Sequence, residues 1–264
     1  MTLRLAIVST KGGVGKTTLT ANLGALLADV GQRVLLVDAD IQPTLSSYYR
    51  LDRQVSCGLI DVLERGDAAI AISQTDVGCD IIVLNDPDGK LPDWILHMPD
   101  GRFRLKRILR RLTDYDMILI DTQGAAGPLQ DMAVLAADLL VSPIPPEVLS
   151  AREFSRGTLA MIDRLSHMED IGFPLGNLYG LIYRLDRTVD ARLTAESIRC
   201  LSYGPSQGCI QILNSVIPAT IAYREAAAAR EPVHRFEPTR KGPTPSALES
   251  MLALVRELPL GLEE

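Results

Sequence analysis

Residues that build metal centres and disulfide frameworks are scarce. The 264 residues include four cysteines, three histidines and one tryptophan. Cys57, Cys79, Cys200 and Cys209 form no C-x-x-C pair and the histidines are scattered, which argues against a zinc site. Aromatic residues reach only 5%, so aliphatic side chains must fill the core; at 47% hydrophobic content there are enough of them. No apolar stretch is long enough to span a bilayer. No secretory leader precedes the first apolar run, so a cytoplasmic protein with free thiols is expected. Positive charge is in deficit: 27 Lys and Arg stand against 33 Asp and Glu, a net charge of −6. A uniform basic field for nucleic acid is therefore excluded, though a local basic patch is not. Internal repeats and low-complexity tracts are also lacking.

What is present is an alternation of apolar strand patterns with helical ones from end to end. It predicts a single α/β domain over residues 1–264, with a mostly parallel twisted sheet and helices on both faces. The organising stretch is Ser9-Thr10-Lys11-Gly12-Gly13-Val14-Gly15-Lys16-Thr17-Thr18. An apolar run leads into it and a helix-compatible run leads out, the context of a phosphate-binding loop. Glycines let the backbone curl and turn its N–H groups inward. The following helix points its positive end at the same spot. Lys16 is expected to reach the terminal phosphates and the Thr17 hydroxyl to bind Mg²⁺. The general pattern G-x-x-x-x-G-K-[ST] is not fully met, because Thr10 holds its first glycine position and Lys11 opens the glycine run.

Acids follow at strand ends. Residues 33–37 read as a short buried strand that delivers Asp38-Ala39-Asp40 at its carboxyl end, where ligands sit in open α/β sheets. Asp38 and Asp40 are expected near the metal and the attacking water. Met117-Ile118-Leu119-Ile120-Asp121 reads as a second buried strand, with Asp121 holding the Mg²⁺ shell. Gly124 lies in a flexible segment just beyond it.

Together Lys11-Gly-Gly-Val-Gly-Lys16-Thr-Thr, Asp38-Ala-Asp40 and the Asp121 strand resemble the ParA/MinD family of deviant Walker A ATPases, a likeness that runs from Leu3 to about Leu258. It implies a P-loop fold that binds ATP or ADP with Mg²⁺ on residues Lys11 to Thr18. It further implies a homodimer formed with ATP, in which Lys11 crosses to the partner's phosphates. Asp40 takes the place of the acid that positions the hydrolytic water, and Gly124 would present its N–H to the γ-phosphate. Arg184 and Asp186 fall near the nucleotide base. Ile217-Pro218, followed by Glu225-Ala226, resembles the segment of partition ATPases that sets a proline beside the base. Many of those proteins carry DNA-contacting arginines there. Here Ala219 and Ala222 hold two expected basic places, leaving Arg199, Arg224, Arg230 and Arg235 as DNA-binding candidates. The resemblance implies a slow ATPase for DNA partition that binds DNA non-specifically and is stimulated by a ParB-like centromere-binding protein. It would be cytoplasmic, and nucleoid-associated with ATP. The alternative is a MinD- or FlhG-like positioning ATPase at a membrane or cell pole. The acidic C-terminal end, Glu263-Glu264, argues against a stable membrane anchor, because anionic lipid attracts Lys and Arg. A nitrogenase iron-protein-like reductase lacks its cysteines after Asp121, and a binding module without turnover is a third alternative.

Other expectations are coarser. Helices are predicted at 19–28, 58–63, 102–112, 132–137, 147–165, 189–201 and 248–258. Further strands are predicted at 79–84, 138–142, 178–183 and 209–217. Residues 85–101, rich in Pro, Gly and Asp, read as a loop containing Trp94. The helix at 102–112 carries Arg102, Arg104, Lys106, Arg107, Arg110 and Arg111, either a solvated face or a phosphate-backbone patch.

Overall fold

The computed structural model describes residues 2–201 and 210–262. Cys209, expected to open the last strand, and the acidic Glu263 and Glu264 lie outside the described residues. The N-terminal half runs β1 (Leu3–Ile7), α1 (Lys16–Asp29), β2 (Val34–Ala39), β3 (Leu51–Arg53), α2 (Leu59–Arg65), β4 (Ile72–Thr75), β5 (Asp80–Ile82), α3 (Leu91–His97), α4 (Gly101–Leu109), β6 (Met117–Thr122) and α5 (Pro128–Ala136). The rest runs β7 (Leu139–Ile144), α6 (Val148–Glu153), a π-helical turn (Phe154–Thr158), α7 (Leu159–Ser166), β8 (Asn177–Leu185), α8 (Val189–Leu201), β9 (Ile210–Pro218), α9 (Ala222–Ala229), α10 (Val233–Phe236) and α11 (Ala247–Glu257).

All strands join one sheet in the order β3-β4-β5-β2-β6-β1-β7-β8-β9. Among the described residues only the β3–β4 and β4–β5 pairings are antiparallel. β1 lies inside the sheet next to the central strand β6, in register with it from Leu3↔Met117 to Ile7↔Asp121 and with β7 from Leu5↔Leu139 to Ile7↔Val141. The chain leaves β1 toward β2 on one side and later returns past it to β7 on the other. This reversal opens a crevice at the carboxyl edge, the usual ligand position of such sheets.

Alternate residues of β1 feed two cores. Ala6 and Val8 pack with α2, α3, α4, α5, α7 and α8, whereas Leu5 and Ile7 pack with α1, α9, α10 and α11. α1 buries Leu19, Leu23, Leu26 and Leu27 together with Thr20, Ala21 and Asn22, so nearly its whole circumference faces protein. Gly31, at φ +90°, ends it as expected of a glycine just past a helix. Burying a Leu side chain of this kind is worth about 1.5–3 kcal/mol, so the helix that carries the phosphate loop is held firmly.

Several expectations are corrected. Residues 85–101 are not all loop: α3 begins at Leu91-Pro92, where proline's fixed φ suits a first turn. Trp94 lies on that helix with the Arg104 guanidinium 5.5 Å from its ring centre. β3 and β4, short and partly polar, add an antiparallel edge inside residues 44–79. Pro143 does not end its strand but sits within β7. Val8 N–H donates to Val141 C=O, so residue 143, two further on, also faces β1, where the ladder to β1 has run out. No donor is missed there. The helix expected over 147–165 is interrupted by the π-helical turn at 154–158.

Candidate functional site

The phosphate loop curls as its sequence requires. Gly15 precedes α1 at φ +102°, and a Cβ there would collide with the Tyr183 ring. Gly12, Gly13, Gly15, Lys16, Thr17 and Thr18 line a cleft of about 610 Å³ with Asp40, Gln42, Gly124 and Arg184. Val14 instead turns into the protein and is buried. A second hollow of about 550 Å³ adjoins it, sharing Thr18 and Arg184 and adding Asp186, Pro218, Thr220 and Arg224. The two hollows are contiguous and of a size and lining that could take a phosphate chain and a nucleoside.

Lys16 is 6% exposed. Burial lowers its pKa, and the charges of Asp121 and Asp40 oppose that shift. Asp121 is fully buried. Its pKa is pushed up to about 7 by desolvation and by the Asp38 and Asp40 charges, against the Thr17 hydroxyl and Lys16. Its Oδ1 accepts from Thr20 Oγ1 at 3.4 Å, while Oδ2 is buried with no hydrogen-bond partner among the described residues. An orphaned carboxylate oxygen beside a threonine hydroxyl, at the foot of a phosphate cleft, fits a hard divalent cation. Thr17 and Asp121 are thus the residues suited to Mg²⁺.

Asp38 pairs in register with Asp121 at the ends of β2 and β6, and its carboxyl is also engaged by the segment that follows it. Its Oδ2 accepts from Ser46 N–H at 2.9 Å and Ser46 Oγ at 2.6 Å, and its Oδ1 from Asp40 N–H at 3.4 Å. Burial raises its pKa to about 6 even though these bonds favour the charged form. Here Asp38 ties residues 40–46 to the end of β2. Asp40 itself lines the cleft and accepts from Gln42 N–H at 3.0 Å.

Lys11 lies outside its own chain's phosphate cleft. Its Nζ donates to Ser150 Oγ at 2.8 Å and sits 3.7 Å from Glu147, which also accepts from Ser150 at 3.2 Å. The neighbouring Thr10 hydroxyl donates to Glu153 at 2.8 Å, and Thr10 N–H to Thr158 Oγ1 at 3.3 Å. The leading edge of the loop is therefore fastened to α6 and the π-helical turn. Sequence motifs gave no sign of Ser46, Glu147, Ser150 or Glu153, because none of them stands in a recognisable motif and the last three reach the loop together from α6 and its N-cap, more than 130 residues away in the chain.

Gly124 approaches the loop closely: a Cβ would lie 2.6 Å from Gly12 Cα and 3.2 Å from Lys16 Nζ. Arg184, at φ +61°, donates to the Gly13 carbonyl at 3.1 Å and spans both hollows.

The basic candidates are less uniform. Arg235 is paired through two nitrogens with Asp29, at 2.7 Å through Nε, and Arg199 donates to Asn214 C=O at 3.3 Å. Arg224 and Arg230 are exposed and make no ion pair among the described residues. The basic helix α4 is mostly engaged: Arg104 and Arg107 with Asp100, Arg102 with Asp131, and a buried Lys106 with Pro174 C=O. Only Arg110 and Arg111 of that group remain unpaired among the described residues, which favours a structural face over a phosphate-backbone patch. No helix among the described residues is long and apolar enough to cross a membrane.

Comparison with known proteins gives the same picture. The family described as an AAA domain matches residues 3–169. An uncharacterized Mycobacterium tuberculosis protein is 31% identical over 96% of this chain and 77% of its own. The chromosome partitioning protein ParA of Myxococcus xanthus is 30% identical over 96% of this chain and 87% of its own. Among solved structures, the ATP complex of Cyanothece McdA(D38A) superposes with a TM-score of 0.82 at 22% identity, covering 100% of this chain and 98% of that one. With this site on this sheet, the chain belongs to the ParA/MinD family of nucleotide-hydrolysing ATPases.

Proposed function

We propose that residues 1–264 act as one ParA-like domain, an ATP-dependent dimerisation switch for DNA partition. The observation that carries this reading is a division between two lysines. Lys16 is buried within the phosphate cleft, whereas Lys11 is held outside it on Ser150 and Glu147. A lysine kept out of its own cleft is free to serve another protomer's nucleotide.

In this reading the N–H groups of residues 12–18 and Lys16 bind the ATP phosphates. Thr17 and Asp121 hold Mg²⁺, which when bound offsets the negative charge that develops on the transferring phosphoryl group. Asp40 orients water for in-line attack, and Gly124 offers its N–H to the γ-phosphate. Arg184 and Pro218 border the nucleoside. Two protomers meet face to face, and each Lys11 exchanges Ser150 and Glu147 for the partner's phosphates. That exchange offsets the repulsion between two anionic nucleotides. Hydrolysis then releases the pair.

The paired form binds DNA non-specifically, with Arg224 and Arg230 as the foremost contacts and Arg199 and Arg235 as supporting ones. Basal turnover is slow and a ParB-like partner accelerates it. The cargo is a plasmid, a chromosome or an integrated mobile element. The protein is cytoplasmic and joins the nucleoid when ATP-bound. A DNA gel shift at low salt tests this with ATP, with ADP and without nucleotide. Retardation with ATP alone is expected; no retardation under any condition overturns the DNA-partition reading.

A further inference from the structure

Behind the cleft lies a contact that none of these roles uses. Gln130 stands on the first turn of α5 and is fully buried. Its Nε2 donates to Ser9 C=O at 3.0 Å and lies 3.5 Å from Gln123 C=O. Ser9 leads into the phosphate loop, and Gln123 opens the segment that follows β6. One carboxamide therefore spans the two stretches that come together at Gly12 and Gly124. Its orientation is fixed by chemistry, since turning it over would set an amide oxygen against two carbonyl oxygens.

The other end of the same group is incomplete. Gln130 Oε1 is buried with no donor among the described residues, a costly state for a buried acceptor. The backbone N–H groups of Gly124, Ala125 and Ala126 likewise donate to nothing among the described residues, and Ala125 and Ala126 are exposed. The same carboxamide lies 3.5 Å through Nε2 from the carbonyl of Gln123, whose peptide bond leads to Gly124, so the acceptor without a donor belongs to a group already against the segment whose N–H groups lack acceptors. The segment that carries them follows a carboxylate suited to Mg²⁺ and touches the loop through Gly124.

We propose that Gln130 is a positioning residue that couples residues 123–127 to the phosphate loop. Its Nε2 holds the segment's first carbonyl against Ser9. Its Oε1 accepts a backbone N–H from the segment when the segment closes over bound ATP. Gln130 touches neither nucleotide nor water; it sets the place of Gly124, which does. This role rests on the ATPase reading above and adds to it the group that ties the moving segment to the fixed loop.

The test compares the parent with Gln130→Met, which has similar volume and no carboxamide. ADP binding, steady-state ATP hydrolysis and amide hydrogen exchange over residues 123–127 are measured, the last with ADP and with a non-hydrolysable ATP analogue. The variant is expected to bind ADP within about threefold of the parent and to lose about tenfold to a hundredfold in kcat. It also fails to gain the exchange protection that the analogue gives the parent. Equal kcat overturns the proposal. So does a parallel fall of ADP affinity and kcat, which would make Gln130 a mere pillar of the loop. Should Gln130→Met not fold, exchange in the parent decides: protection of 123–127 with the analogue over ADP supports the role, and unchanged exchange overturns it. A parent that hydrolyses no ATP sinks the ATPase reading, while the exchange comparison still judges Gln130.

Discussion

Lys16 and Asp40 face the same cleft with opposite charge, and their substitutions separate binding from turnover. Lys16 is buried, so its ammonium acts in a poorly solvated place, where removing a charge-assisted hydrogen bond costs about 1.5–3 kcal/mol. Lys16→Ala is expected to weaken ATP binding about tenfold to a hundredfold, as read by titration with a fluorescent nucleotide. Asp40→Ala is expected to keep nucleotide affinity and to lower phosphate release by about 10²–10⁴-fold. Unchanged release would remove Asp40 from the chemistry and favour a binding module without turnover. The residues of the loop were legible in the sequence because seven neighbours in the chain make one cradle from local backbone geometry. Asp121 was legible because a buried strand can end in an acid only where something compensates it. Ser46 beside Asp38, and Ser150 beside Lys11, were not legible. Their partners lie 8 and 139 residues away, and neither serine stands in a pattern that declares its hydrogen bond.

The elements that frame the site are joined by a few polar pins, and each pin has a measurable effect. Asp29, at the end of α1, accepts from Arg235 and from the buried His234, both on α10. The Arg235 hydrogen bond is the main cause holding the Asp29 carboxyl below its usual range. A depressed carboxyl stabilises the fold above its unfolded pKa of about 4, and this contribution is lost as pH falls through the folded value. Asp29→Asn is therefore expected to cost about 1 kcal/mol at pH 7, a modest figure because both charged side chains are partly exposed. That corresponds to a fall of about 2–4 °C in Tm, and the gap between variant and parent should close below about pH 4. A gap that persists there would show that packing, rather than charge, carries the pair. At the π-helical turn, a Cβ on Gly157 would strike Glu153 Oε1 and Thr10 Oγ1. Gly157→Ala is expected to lose about 1–3 kcal/mol in urea unfolding. This turn was hidden in a sequence that reads as one continuous helix, since a single extra residue per turn leaves the apolar pattern nearly intact. α3 was hidden for the opposite reason. Pro92, which breaks a helix interior, begins one when it stands in the first turn. The central parallel strands were legible as unbroken apolar runs. β3 and β4, three and four residues long, owe their pairing to backbone neighbours that no side-chain pattern records.

Across the whole molecule, cations are few and many are occupied. With a net charge of −6 and Arg235 and most of α4 committed to ion pairs, DNA affinity must come from a small number of phosphate contacts, multiplied when two protomers pair. Each contact contributes about −0.9 to the slope of log affinity against log salt. Removing Arg224 and Arg230 together from both protomers should therefore flatten that slope by up to about 4; an unchanged slope would place the DNA face elsewhere. Pairing itself is the central claim, and it is a matter of mass. Sedimentation velocity on Asp40→Ala with Mg²⁺ and ATP tests it most directly, because the triphosphate then persists. The account predicts twice the 28.8 kDa protomer mass with ATP, a single protomer with ADP, and a single protomer with ATP once Lys11→Ala is added. A single protomer under all three conditions, or a pair that survives Lys11→Ala, would contradict it.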